Sequence, residues 1–127
     1  MKELILVGLF GAAGAISRYV LSAWMLRAFG DRFPWGTFTV NIAGCALIGV
    51  LFQWHEWMPL SREWRAALAA GFLGGLTTFS TFGLETIRLV ELGKPGMAAA
   101  NVSANLVIGL LAVWAGMTLM RRLVGAE

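Results

Sequence analysis

The sequence predicts an all-α membrane protein, and its composition and its hydropathy pattern both lead to that fold class. Hydrophobic residues make up 58% of the 127-residue chain and charged residues only 13%, whereas about a quarter of the residues of a soluble domain are usually charged. Too few charges are therefore present to cover a water-facing surface. In addition, four apolar stretches approach the ~20 residues that a helix needs to cross a hydrocarbon core about 30 Å thick.

The predicted spans cover about residues 4–26, 35–54, 64–90 and 97–120, within a single domain of residues 1–127. Ser61 precedes the third span and is expected to cap it, because a serine hydroxyl accepts a hydrogen bond from a free N–H of the first turn. The sequence Gly93-Lys94-Pro95-Gly96 predicts a turn that ends this span. Since the connections are short, neighbouring helices are expected to run in opposite directions.

Small residues recur on the predicted spans. No hydrophobic effect drives helices together in lipid, so small residues favour association by letting backbones approach closely. Four helices enclose little space for a polar pathway, which favours a homo-oligomer. The residues are Gly8, Ala12 and Ala15 in the first span, Ala43, Gly44 and Gly49 in the second, and Gly109, Ala112 and Gly116 in the fourth.

Positive charge is balanced between the two sides of the predicted bundle. The net charge is +3, and the ten Lys and Arg residues are scattered along the chain, so no basic face indicates a nucleic-acid partner. One side carries Lys2, Arg62, Arg65, Arg121 and Arg122, and the other carries Arg18, Arg27, Arg32, Arg88 and Lys94.

This balance bears on orientation, which normally follows an excess of Lys and Arg on the cytoplasmic side. Two interpretations are open. Without an excess, the chain could insert in both directions and assemble as an antiparallel, dual-topology homodimer. Alternatively, one or two residues near the first helix decide its orientation.

The third span contains an unusual segment, residues 74–83, with the sequence GGLTTFSTFG. Glycine is among the poorest helix formers, and irregular backbone at membrane depth occurs only where protein buries it or where it lines a wet cavity. The segment therefore predicts a broken third helix whose freed carbonyls could bind an alkali cation. The alternative is tight glycine packing, with the hydroxyls bonded back to their own helix.

Within and beside this segment lie candidate anion-binding residues. Phe79 and Phe82 share a helix face, and the edges of their rings are positive and can stabilise an anion. Ser80 and Thr81 interleave with them, and Asn41 adds an amide donor in the middle of the second span. The alternative roles are core packing for the rings and interhelical hydrogen bonding for the asparagine.

Arg18 lies inside the first apolar stretch, about two turns from its end. One interpretation is that its side chain extends outward to the headgroup region. The other is that it forms part of a watery vestibule in which its charge concentrates anions.

With these residues identified, the chain resembles the Fluc (CrcB) family of fluoride channels over essentially its whole length. The motifs that carry the resemblance are GAAG at residues 11–14 followed by Arg18 and Tyr19, then WGT at residues 35–37 leading to Asn41 and Gly44, and GFLGGLTTFSTF at residues 71–82 with Glu85.

The resemblance implies a passive channel that exports cytoplasmic fluoride and confers fluoride resistance, and no enzyme activity. It implies an antiparallel dimer in the bacterial plasma (inner) membrane, with a structural sodium ion bound by the carbonyls of Gly74 and Thr77 from both subunits. It further implies that Phe79 and Phe82 present ring edges to fluoride.

The same resemblance implies that Asn41, Ser80 and Thr81 line the fluoride path. One departure is that family members often have a pore-side serine after a glycine in the fourth helix, whereas Leu110 follows Gly109 here. Asn101, Ser103 and Asn105 are the candidates to replace that serine.

Two other functions are considered. A small multidrug-type, proton-coupled exporter also has four short spans, but it needs a carboxylate deep in its first helix. Here Glu3 is terminal and the next acidic residue is Asp31. A non-transporting scaffold would leave the polar segment of the third span unexplained.

Overall fold

The computed structural model describes residues 1–125, and this part of the chain is built from helices. Four stretches are long and apolar enough to cross a membrane, namely Lys2–Phe29, Trp35–Trp57, Arg62–Glu91 and Pro95–Leu123. The predicted all-α fold with four helical stretches able to span a membrane is therefore confirmed, which supports a multi-pass membrane protein.

Each stretch is longer than the span predicted from hydropathy, because a helix continues past the apolar window into polar residues. Helix α1 is Lys2–Phe29, α2 is Trp35–Trp57 and α6 is Pro95–Leu123. The third stretch consists of α3 (Arg62–Ala66), a π-helical segment (Ala67–Leu73), α4 (Gly74–Leu76) and α5 (Phe79–Glu91).

Both predicted ends of the third stretch have local causes in the sequence. The hydroxyl of Ser61 accepts a hydrogen bond from the backbone N–H of Trp64 at 3.5 Å, as predicted for a capping serine. After α5, Gly93 adopts a φ of 70°, which glycine reaches without steric cost. The Gly93 N–H donates to the Val90 carbonyl, and the Lys94 N–H donates to the Leu89 carbonyl. This pair of hydrogen bonds is the Schellman motif that ends a helix.

Polar contacts at one end of the bundle bring the start of α1 beside α3 and the end of α2 beside the end of α6. Arg62 Nε lies 3.4 Å from Glu3 Oε2, and Arg121 Nε donates to Gln53 Oε1 at 2.8 Å. These contacts agree with the up-and-down order expected from short connections.

Helix α1 packs against the third stretch with almost no side-chain volume between the two backbones. A Cβ placed on Gly75 would lie 2.5 Å from the Gly11 carbonyl oxygen, and one on Gly71 would lie 2.8 Å from that of Val7. A Cβ on Gly14 would overlap the carbonyl oxygen of Phe72. Glycine at these positions therefore permits the close approach expected in lipid.

Helices α2 and α6 form a second close pair. A Cβ on Gly49 would overlap the Val113 carbonyl oxygen, and one on Gly116 would overlap that of Ala46. The predicted packing role of Gly49 and Gly116 thus matches their positions. Gly8 differs, because a Cβ there would meet nothing within 4 Å in this chain.

The π-helical segment Ala67–Leu73 is a feature that the hydropathy pattern does not reveal. Its turns are wider than those of an α-helix, and such segments frequently lie near functional sites. Within it, Ala67, Gly71 and Leu73 are buried. The segment ends immediately before Gly74, the first of the two residues predicted to bind sodium.

Candidate functional site

The candidate site centres on a junction in the third stretch, where the helical backbone is interrupted. Helix α4 ends at Leu76, and the two threonines that follow have extended dihedrals, with φ −86° and ψ 158° at Thr77 and φ −151° and ψ 113° at Thr78. Helix α5 then begins at Phe79, with the Thr78 hydroxyl accepting a hydrogen bond from the N–H of Thr81 at 3.2 Å. We call Thr77 and Thr78 the junction.

Asn41 of α2 binds both backbone polar groups of Thr78, its N–H and its carbonyl. The Thr78 N–H donates to Asn41 Oδ1 at 2.9 Å, and Asn41 Nδ2 donates to the Thr78 carbonyl at 3.3 Å. The side chain thus pairs with the interrupted backbone and satisfies groups that would be costly to leave unpaired in an apolar interior. A Cβ on the neighbouring Gly44 would overlap the Thr77 methyl group, so glycine is needed for this approach.

The junction also frees carbonyl oxygens. In a continuous helix the Thr78 N–H would donate to the Gly74 carbonyl, but here it donates to Asn41. The Thr77 carbonyl receives a long contact of 3.3 Å from Arg18 Nη1. Gly74 is exposed, and the space where a Cβ would project is open except for the Ala69 carbonyl oxygen at 3.7 Å.

These two carbonyls suit the predicted sodium ion in their chemistry. Carbonyl oxygens replace the hydration shell of alkali cations in membrane proteins. Among residues 1–125, no group of three or more His, Cys, Asp or Glu side chains could bind a metal ion instead. Gly74 and Thr77 are thus suitable donors, but one chain supplies only this pair, so further donors would have to come from outside it.

A cavity of about 420 Å³ lies beside the junction, and three of the predicted fluoride-path residues line it: Asn41, Phe79 and Phe82. The two rings are tilted by 46° with their centroids 5.5 Å apart, and Phe79 is 82% exposed in the single chain. The residues that line this cavity carry amide, hydroxyl and thiol groups but no charge. It therefore combines amide and hydroxyl groups with two aromatic rings and has no fixed charge that would trap an anion.

A second cavity of about 800 Å³ lies between α1, α2 and α5. The predicted vestibule residue Arg18 and the predicted path residue Thr81 both line it, together with Thr37, Glu85 and Arg88. Ser80 is exposed and lines neither cavity. The junction residue Thr78 contributes to both cavities and so lies between them.

Of the three polar residues of α6 that the sequence offered as candidates, Asn105 lines the uncharged cavity and Asn101 and Ser103 do not. Asn105 lines the cavity and accepts a hydrogen bond from Asn41 Nδ2 at its Oδ1, 3.2 Å away. Asn101 lies one turn before it and is fully buried. The four-residue spacing of these asparagines in an apolar helix was the signal that could have paired them, whereas Ser103 is exposed and lies off that face.

Comparison with known proteins agrees with this architecture. Residues 5–117 match the family described as "CrcB-like protein, Camphor Resistance (CrcB)". This range covers most of the chain and includes every residue predicted to bind an ion. The chain belongs to the CrcB family.

Relatives of this CrcB chain are similar along nearly their whole length. A protein of Acidobacterium capsulatum is 45% identical over 119 residues, covering 93% of this chain and 95% of the relative. One of Rhizobium meliloti is 45% identical over 126 residues, covering 98% of this chain and the whole relative. One of Geotalea daltonii is 44% identical over 122 residues, covering 95% and 98%. Each of the three is named a fluoride-specific ion channel.

Proposed function

We propose that this CrcB chain is a passive, fluoride-selective ion channel that exports cytoplasmic fluoride and so confers fluoride resistance. The observation that carries the proposal is the 45% identity, over 98% of this chain, to a relative named a fluoride-specific ion channel. The uncharged cavity of Asn41, Phe79 and Phe82 supports it, because amide N–H groups and ring edges attract an anion without binding it as tightly as a buried lysine or arginine would.

Passive export is sufficient for this role. Hydrogen fluoride crosses membranes as the neutral acid and dissociates in the cytoplasm, which traps the anion. A potential that is negative inside then drives fluoride outward by about 2.3 kcal/mol for each 100 mV. Neither a nucleotide nor a coupled ion is needed, and we place the protein in the bacterial plasma membrane, where such a potential exists.

The proposed assembly is an antiparallel homodimer with both orientations present in the membrane. The five-to-five balance of Lys and Arg between the two sides supports it. The 82% exposure of Phe79 and the exposure of Gly74 support a second copy that covers the face beside the junction. C-terminal tags should be accessible from both sides of the membrane in comparable amounts, and full activity from a population of one orientation would contradict the antiparallel arrangement.

A structural sodium ion is proposed between the two copies, bound by the carbonyls of Gly74 and Thr77 from each chain. Its support is the pairing of the Thr78 N–H with Asn41, which frees the Gly74 carbonyl from its usual partner. Two facing junctions would bring four such oxygens together and leave them costly to bury unless a cation neutralised them.

The proton-coupled exporter is not favoured by any residue in the first helix. Glu3 is the acidic residue of α1, and it lies at the terminus in an ion pair with the exposed side chain of Arg62 at 3.4 Å. A carboxylate there cannot alternate between a proton and a substrate in the middle of the membrane.

The test is fluoride release from liposomes that contain only the purified protein, with chloride measured in parallel. We expect rapid fluoride efflux and chloride efflux at the level of protein-free liposomes. Asn41→Asp should abolish the fluoride efflux, because it places a negative charge beside the path. Equal release of both anions, or no fluoride release from folded protein, would reject the proposal.

A further inference from the structure

A continuous chain of side-chain hydrogen bonds runs from the junction through α2 and α6 and back to α5. It contains three asparagine amides, those of Asn41, Asn105 and Asn101, followed by the hydroxyl of Thr86. None of the ion-path predictions includes Thr86, and the packing of apolar helices does not require such a chain. Its arrangement therefore calls for an explanation of its own.

Every step of the chain has the same donor-to-acceptor direction. The Thr78 N–H donates to Asn41 Oδ1 at 2.9 Å, and Asn41 Nδ2 donates to Asn105 Oδ1 at 3.2 Å. Asn105 Nδ2 then donates to Asn101 Oδ1 at 3.0 Å, and Asn101 Nδ2 donates to Thr86 Oγ1 at 2.9 Å. Each amide accepts through its oxygen and donates through its nitrogen.

Backbone groups at both ends fix this direction. A backbone N–H can only donate, and the chain begins at that of Thr78. A carbonyl can only accept, and the Thr86 hydroxyl ends the chain by donating to the Phe82 carbonyl at 2.8 Å. If the amide of Asn41 or Asn105 turned over, its nitrogen would face another N–H donor and its oxygen would face another amide oxygen, leaving polar groups unpaired.

The consequence concerns the group that Asn41 offers to the cavity. Asn41 and Asn105 line the cavity with Phe79 and Phe82, whereas Asn101 and Thr86 do not. The two contacts of Asn41 Nδ2, to Thr78 O and Asn105 Oδ1, are the longest of this network at 3.3 and 3.2 Å. The N–H groups of Asn41 are thus oriented by the chain but held weakly enough for an anion to compete for them.

We propose that Asn101 and Thr86 are positioning residues, which act through Asn105 to keep the amide nitrogen of Asn41 directed toward a permeating anion. This inference rests on the proposed fluoride channel. Asn101 is 0% exposed and acts through its neighbours, without contact with the ion. Removing its side chain leaves Asn105 Nδ2 bonded to the Asn101 carbonyl at 2.9 Å, so α6 keeps its local support. Asn105 nevertheless loses one of the two acceptors that orient its amide, and the link to Thr86 is broken.

Four variants test this role. Thr86→Val keeps the shape of the side chain and removes the hydroxyl, and Thr86→Ser keeps the hydroxyl. Asn101→Leu removes the middle of the chain by an independent change. Thr118→Val is the matched control. It makes the same replacement in α6, at a residue that belongs neither to the hydrogen-bond chain nor to the lining of either cavity.

Two measurements are made on each variant. Hydrogen exchange of the Thr78 amide is followed by NMR in lipid nanodiscs, with the Leu92 amide as an internal reference, because it donates to the Arg88 carbonyl at the opposite end of α5. Fluoride flux per folded dimer is measured in liposomes. In Thr86→Val and Asn101→Leu we expect Thr78 exchange to rise about tenfold and flux to fall about tenfold, the size of one lost hydrogen bond. Thr86→Ser and Thr118→Val should match the unaltered protein in both.

Each other result overturns the proposal. Unchanged Thr78 exchange in both Thr86→Val and Asn101→Leu would show that the hydrogen-bond chain does not hold the junction, whatever the effect on fluoride flux. Faster exchange with normal flux would show that the chain supports the fold without positioning Asn41 for conduction. If the unaltered protein released no fluoride, the proposed function would fail independently of this inference. The exchange measurements would still decide whether the hydrogen-bond chain holds the junction.

Discussion

The two halves of the third span are held in different ways. The first half, residues 67–76, lies against α1 with its backbone in near contact, through Gly71 and Gly75. The second half, α5, has no such backbone contact at Gly83, where a Cβ would meet nothing within 4 Å, and it leaves Phe79 exposed. The first half is therefore positioned by close backbone packing against α1, which leaves no room for added side-chain atoms at these glycines. The second half is positioned at its start by hydrogen bonds to Asn41, which can adapt to an ion.

The largest effect is expected from adding one methyl group to α1 where it contacts the tightly packed half. In Gly14→Ala, the new Cβ would overlap the Phe72 carbonyl oxygen, and a well-packed site pays about 1–3 kcal/mol or more for such overpacking. We expect the yield of monodisperse protein and its thermal midpoint in detergent to fall sharply.

The matched control for that change is Gly8→Ala in the same helix, where a Cβ meets nothing within 4 Å. It should be at least as stable as the unaltered protein, because alanine favours the helix over glycine by about 1 kcal/mol. Equal stability of the two variants would contradict the account of the α1 contact.

The next largest effect should come from the adaptable half, and on transport alone. Phe82→Ile keeps most of the apolar volume but replaces a positive ring edge with aliphatic hydrogens. We expect fluoride flux per folded protein to fall by about tenfold or more, because the aliphatic side chain offers the anion no positive ring edge. The yield and monodispersity of the purified protein should be unchanged.

Phe52→Ile serves as its control, because Phe52 is an exposed ring of α2 that lines neither cavity. It should leave flux unchanged. If Phe79→Ile and Phe82→Ile both conduct normally per dimer, ring edges do not solvate the ion, although the channel itself would stand.

Removing sodium should loosen the junction, which lies between the two halves of the third span. We expect amide exchange at the start of α5 to increase several-fold while that of residues 67–73 changes little, because the glycine contact of this segment with α1 does not depend on the ion. Fluoride flux should slow in parallel. Exchange and flux that are unaffected by prolonged replacement of sodium with a bulky organic cation would remove the proposed ion site.

The smallest effect is expected at the larger cavity. Arg18→Gln should lower flux about threefold at low ionic strength, and the loss should vanish near 1 M salt, where charges are screened within about 3 Å. Arg27→Gln, at the exposed end of α1, is the control. A loss that persists at high salt would instead assign Arg18 to its contact with the Thr77 carbonyl.

The sequence was sufficient to predict the fold because lipid leaves few alternatives. Apolar length predicted the four spans, and the glycines at positions 49 and 116 lie at a close contact as expected. The lengths of the helices were underestimated, since hydropathy falls at the membrane edge whereas helical hydrogen bonding continues. The π-helical segment was not predicted, because residues 67–73 have no composition that distinguishes a wider turn from an α-helix.

The candidate site was predictable in part. The glycines and hydroxyl residues of the third span drew attention to the junction, and Asn41 was recognised as a donor. Its pairing with the peptide of Thr78 was not predicted, because it depends on how α2 and the third span are placed side by side. Thr86 was missed for the same reason, since its role arises only from the Asn101 side chain that reaches it from α6.

The central claim, that this protein conducts fluoride passively, is tested most directly by the voltage of zero current in a planar bilayer. With a tenfold fluoride gradient, equal chloride and symmetric pH, a fluoride-selective channel predicts a reversal potential near 59 mV, the value for one charge per tenfold gradient. Imposing a pH gradient should not move it. A reversal potential near zero, or one that shifts with the pH gradient, would contradict the account.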